Sequence, residues 1–137
     1  MDSELSERLT REHRDLDELF GRFLGASAAG DTEEALFAIR AFDETLRRHT
    51  ALEEEKVVLA PEGRRLVPRE AADATSELHR GLRLEHVQVR ELSAMILRLL
   101  EEKRDLEGAR RLAGNLARRW DAHTTREERE LFAPPGR

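Results

Sequence analysis

Residues 47–61 read RRHTALEEEKVVLAP, and residues 121–135 read DAHTTREERELFAPP. In each stretch a histidine is followed four residues later by a glutamate, then a second glutamate, an apolar patch and a proline. The first copy carries His49, Glu53 and Glu54, and the second carries His123, Glu127 and Glu128. An α-helix turns once every 3.6 residues, so positions i and i+4 share a face one turn apart. The echo therefore asks for two helices, each presenting a His–Glu clip on one face.

The rest of the chain agrees with helices. Tyrosine is absent, β-branched residues are few and no Asn-Gly hairpin turn occurs. Ser3 or Ser6 is expected to cap a first helix that runs to about Leu24 and breaks at GASAAGD. Asp31 or Thr32 starts a second, with Glu33 and Glu34 favourable in its first turn, and it ends near LAPEG. A polar connector, EGRRLVPRE, leads to Pro68, which suits the start of a third helix running through EEKRD. The fourth starts near Asp105 and stops before Pro134. Short loops between helices of similar length predict an all-α, up-down-up-down antiparallel four-helix bundle.

Bulk properties narrow the function classes. The length of 137 residues is that of a single domain, with a short tail over 133–137. Charged and hydrophobic residues each make up 39% of the chain, as expected for short helices with wet outer faces. A net charge of −5 with both signs interspersed leaves no basic footprint, so no nucleic-acid partner is expected. The chain has no cysteine, which excludes disulfides, thiolate metal sites and thiol catalysis. The acidic start, MDSELSERL, has no signal-peptide character, and no apolar run approaches the ~18–20 residues of a membrane span. A cytoplasmic protein without membrane contact is the expectation.

Each helix has an apolar stripe at spacings of three and four. The first reads Leu5, Leu9, His13, Leu16, Phe20, Phe23. The second is Ala35, Ile39, Phe42, Leu46, His49, Glu53, Val57. The third is Leu78, Leu82, His86, Val89, Ser93, Ile96, Leu100, and the fourth Leu106, Ala109, Ala113, Leu116, Trp120, His123, Glu127, Leu131. Six members do not belong in an oil core: His13, His49, Glu53, His86, His123 and Glu127. Unpaired buried carboxylates cost several kcal/mol each, so a cation between them is the economical solution. Four imidazoles with two carboxylates suit iron, or manganese, better than calcium or magnesium, which prefer oxygen donors. Two metals bridged by the two glutamates, each with two histidines, use the set fully and leave positions open for water or a small diatomic.

A lone histidine on an apolar stripe is ordinarily a hydrogen-bonded core residue, and a lone HxxxE is weak in a chain this acidic. The matched set of four histidines, two of them followed by an inward glutamate, carries the inference. His79 is expected half-buried and not a ligand. Glu54 and Glu128, about 100° round from their neighbours, and Glu12 and Glu85, each just before a histidine, are expected on solvated faces. Trp120, one turn before His123, is expected in the core, where it can wall the site.

With these residues in place, the sequence resembles the hemerythrin-like, or HHE cation-binding, family over nearly its whole length. The order H…HxxxE…H…HxxxE is carried by His13, by His49 with Glu53, by His86, and by His123 with Glu127. The flanking text is similar too: TREHRDLDELF, LEHVQVREL and HTTREERELFAP. The resemblance implies a non-haem di-iron centre in which the two glutamates bridge the irons and the histidines cap them. It departs at one position. Oxygen-carrying members have a fifth histidine one turn before the third-helix ligand, where this chain has Leu82. That departure implies an additional open or water-filled position on one iron. It points away from simple reversible oxygen carriage and leaves open peroxide or nitric oxide chemistry, or iron sensing. The rival ferritin-like bundle needs Glu three residues before a ligand His; here those positions are Thr10, Leu46, Ser76, Arg83 and Trp120.

The resulting expectation is a di-iron protein for oxygen, nitric oxide or hydrogen peroxide. The alternative is a non-catalytic iron-sensing or structural metal bundle acting through a protein partner. A metal-free helical adaptor is the third possibility. No general base is visible beyond the candidate ligands, so any activity is expected to be a weak oxidoreductase and not a hydrolase.

Overall fold

A computed structural model describes residues 3–58 and 69–132; side chains are described over 3–56 and 77–132. Four α-helices make up nearly all of it: α1 Ser3–Ala28, α2 Thr32–Glu53, α3 Arg69–Lys103 and α4 Leu106–Glu130. A single π-helical turn, Glu54–Val58, continues α2. The expectations for LAPEG beyond Val58, for the connector as far as Pro68, for Pro134 and for the tail lie outside the described residues, and that for Val57 as a stripe residue lies outside the described side chains.

Contacts between neighbours fix the direction of each helix. Between α1 and α2 they run Arg22–Glu34, Phe20–Phe42 and His13–His49, so one number falls as the other rises. The same inversion holds for α2 and α3 (Arg40–Glu101, Asp43–Ser93, Glu53–His86). It holds for α3 and α4 (Gln88–Arg119, His86–His123, Glu85–Arg126). It also holds for α1 and α4 (Asp17–Trp120, His13–Glu127, Ser6–Phe132). The helices alternate up and down around one core, as the sequence predicts. No helix among the described residues is long and apolar enough to cross a membrane.

Two tight turns sit together at one end, joined by an ion pair between Arg104 and Glu33. The α1–α2 turn corrects the expected boundary. α1 does not stop near Leu24 but continues to Ala28, because Ala26 and Ser27 are buried and the Ser27 hydroxyl donates to the Phe23 carbonyl. The helix ends at Gly30, whose φ of 73° is left-handed. There Gly30 N–H bonds the Ser27 carbonyl and Asp31 N–H bonds the Ala26 carbonyl, a Schellman closure. Asp31 then caps α2 by accepting from Glu34 N–H at 3.1 Å. Asp105 does the same for α4, accepting from Gly108 N–H at 2.8 Å.

The stripes face inward. From the turn end, the core holds Phe23, Ala35, Leu100 and Ala109, then Phe20, Ile39, Ile96 and Ala113, then Leu16, Phe42, Leu46, Val89 and Leu116, all buried. Leu5, Leu78, Leu106 and Leu131, at the ends of their stripes, are only half-buried. Past Trp120 the oil core stops and a polar layer begins.

Candidate metal centre

Every helix contributes to that layer. α1 supplies His13, α2 His49 and Glu53, α3 His86, and α4 His123 and Glu127; none is more than 2% exposed. The antiparallel turns bring them level. His13 lies 17 residues before Gly30 and His49 lies 19 after it, while His86 lies 18 before Arg104 and His123 lies 19 after. The rings of His13 and His49 are 4.7 Å apart, as are those of His86 and His123. The structure thus brings together all six residues singled out in the sequence.

The two carboxylates lie between the two imidazole pairs and face both. Glu53 turns Oε2 toward Nε2 of His49 (3.2 Å) and His13 (3.6 Å), and Oε1 toward Nε2 of His86 (3.0 Å). Glu127 turns Oε1 toward Nε2 of His13 (3.1 Å), and Oε2 toward Nε2 of His123 (3.0 Å) and His86 (3.1 Å). Two overlapping donor groups result, His13–His49–Glu53–Glu127 and His86–His123–Glu53–Glu127. Within each, one ligand atom per residue lies within 4.8 Å of all the others. Both glutamates belong to both groups.

The donors suit a cation better than they suit each other. Seven buried side-chain nitrogens and oxygens among the described residues lack a hydrogen-bond partner, and all seven belong to these six residues. Six of them face the centre: Nε2 of His13, His49 and His123, both oxygens of Glu53 and Oε1 of Glu127; the seventh, Nδ1 of His86, faces Glu54. Their neighbours are close enough to bond but lie off the line a hydrogen bond needs. An orphaned buried polar atom costs about 1–3 kcal/mol, so this cluster is expensive unless an ion satisfies it. These buried His and Glu groups can hold a metal ion, and the mixed nitrogen and oxygen set fits a first-row transition metal.

Without metal, protons take its place. Burial alone would push the His13 pKa down, but the carboxylates of Glu127 and Glu53 outweigh it and raise it to about 10. His86 rises to about 9 by the same balance. His49 and His123 are also raised, burial being outweighed by Glu12 and Glu53 for one and by Glu127 and Glu85 for the other. Burial pushes Glu53 and Glu127 up, yet the surrounding imidazoles hold both below the ordinary carboxylate value.

Behind each imidazole stands a carboxylate that the helical pattern alone assigns to a solvated face. Glu12 Oε1 lies 2.6 Å from Nδ1 of His49, and Glu85 Oε1 lies 2.7 Å from Nδ1 of His123. Glu128 Oε2 is 3.2 Å from Nδ1 of His13, and Glu54 Oε2 is 3.8 Å from Nδ1 of His86. The solvated-face expectation is corrected for Glu12, Glu54 and Glu85, which are half-buried; Glu128 is exposed but still reaches a ring. A residue 100° round from an inward position lies on the seam between helices, and a glutamate is long enough to lean across it. The repeated doublets, EH at 12–13 and 85–86 and EE at 53–54 and 127–128, were the available signal.

The walls are apolar. Trp120 closes the core side, its ring 5.5 Å from His13 and 6.1 Å from His123, and its Nε1–H donates to Asp17. Leu9 and Leu82, each one turn before a lone histidine, are fully buried on the opposite side with Phe132, whose ring is 5.4 Å from His13. His79 is half-buried and stands outside both donor groups. No protein-family model, curated protein or solved structure matches the chain.

Proposed function

We propose that this chain is a hemerythrin-like di-iron protein that binds a small oxidant, namely oxygen, nitric oxide or hydrogen peroxide, within the bundle. One observation carries the proposal: two four-residue donor groups share a pair of buried carboxylates, each aiming one oxygen at each group. His13 and His49 would hold one iron and His86 and His123 the other, with Glu53 and Glu127 common to both. Bound there in the ferrous state, iron supplies electrons and open coordination positions for the oxidant.

The chain's own residues do the rest. The glutamates offset the charge of the cations in a place that water does not reach. Trp120, Leu9, Leu82 and Phe132 line the centre with apolar surface, which disfavours hydrated competitors. Leu82 offers no donor where a fifth histidine would add one, and Leu9 takes the matching place in the other half, so both positions stay under-coordinated by protein. That supports reaction with peroxide or nitric oxide over simple reversible carriage. Manganese fits the same donors.

The test is metal content with an optical spectrum on the same iron-loaded sample, before and after air or peroxide. Two irons per chain and an absorption change on oxidation are expected. Iron uptake with no spectral response would sink the redox role. It would promote the second reading, an iron-sensing or structural bundle, which the contribution of all four helices to one polar layer supports.

A further inference from the structure

Each helical hairpin carries its own brace. In α1–α2, Glu12 stands one residue before His13 and reaches across to Nδ1 of His49 at 2.6 Å. In α3–α4, Glu85 stands one residue before His86 and reaches Nδ1 of His123 at 2.7 Å. The lone histidines are backed from the other hairpin and from farther away: His13 by Glu128 at 3.2 Å, His86 by Glu54 at 3.8 Å. The two halves are closely alike in spacing. His13 and His49 are 36 apart and His86 and His123 are 37 apart, and each clip glutamate follows its histidine by four.

A ligand imidazole must present one bare nitrogen at the correct ring angle. An acceptor on Nδ1 holds the proton there, leaves the Nε2 lone pair for a cation and stops the ring from turning. Glu12 and Glu85 are themselves tied down on the outer side. Arg8 Nε bonds Glu12 Oε2 at 3.2 Å, and Arg126 Nη1 bonds Glu85 Oε2 at 2.6 Å. An Arg–Glu–His chain thus runs from the surface to the centre in both halves.

We propose that Glu12 and Glu85 are positioning residues for two like half-sites, one per hairpin. Each hairpin then presents a braced pair of imidazoles with one carboxylate, and docking of the hairpins completes two positions by sharing Glu53 and Glu127. This rests on the metal-binding reading above. Removing one brace therefore weakens one position, and the two removals have matching effects.

The experiment is an anaerobic iron(II) titration of the full chain. Glu12→Ala and Glu85→Ala should each weaken one of the two equivalents by roughly 10–100-fold, the range for such supporting partners. Glu12→Gln and Glu85→Gln keep a carbonyl acceptor and should recover most of the loss, whereas Glu54→Ala should shift affinity less. The melting temperature of the metal-free variants reads the purely structural contribution. Unchanged affinity, or equal weakening of both equivalents that tracks a lower melting temperature, overturns the brace. Wild type that takes up no iron overturns both the brace and the metal site, so the two failures are distinct. If an alanine variant does not fold, zinc-loaded wild type still decides. Long-range proton–nitrogen correlation should find the proton on Nδ1 of His49 and His123, and a proton on Nε2 of either overturns the proposal.

Discussion

Glu53 and Glu127 differ from the four histidines in belonging to both donor groups. Truncating either removes an oxygen from both positions, so Glu53→Ala or Glu127→Ala should abolish two-metal binding. His123→Ala removes a donor from one group and should leave about one metal per chain, as counted by metal analysis after desalting. Equal losses from the glutamate and histidine variants would contradict the sharing. His79→Ala should leave two.

The same residues set the pH response. The imidazole pKa values of His13 and His86 are raised to about 10 and about 9 in the metal-free fold. Their stabilisation is therefore fully present below about 6.5 and is lost as pH rises through 9–10. Glu53 and Glu127 are lowered, so their stabilisation is present above about 4.5 and is lost as pH falls below it. Metal-stripped protein should be most stable near pH 5–6 and weaken toward pH 10, as followed by urea unfolding. Metal needs the same nitrogens bare, so affinity should rise with pH throughout pH 6–8, with protons released on binding. A flat profile in either measurement would count against the paired site.

At the scale of the element, boundaries were set by capping chemistry. Asp31 and Asp105 are legible as N-caps in the sequence, and both accept the backbone N–H three residues on. Replacing Asp105 by Ala should cost about 1 kcal/mol, or ~3 °C of melting temperature, without changing metal stoichiometry. Gly30→Ala forces a side chain into left-handed backbone and should cost roughly 1–2 kcal/mol. Gly25 favours a break after Leu24, but burial of Ala26 and the Ser27–Phe23 bond carry α1 one turn farther. The π-turn at Glu54–Val58 left no sequence signal.

At the scale of the molecule, the polar layer is where four helices meet. Below it lies an apolar core that needs no ion. Chelation should therefore lower the melting temperature strongly while leaving much of the helical circular dichroism at 25 °C. With free metal at a thousand times the dissociation constant, linkage amounts to ~4 kcal/mol. A melting temperature indifferent to chelator in a protein that carries metal would contradict the coupling of site and fold.

The helical period, the four inward stripes and the six residues that interrupt them are legible in the amino-acid order. Those features follow from i, i+4 geometry and the cost of burying charge, which act within one helix. That His13, His49, His86 and His123 lie level is settled by the packed fold, because it depends on how many residues each turn consumes. The fold alone decides which carboxylate backs which ring. Glu12 serves His49 and Glu85 serves His123; the doublets mark these glutamates along the chain, but the ring each one meets is set across the seam between helices.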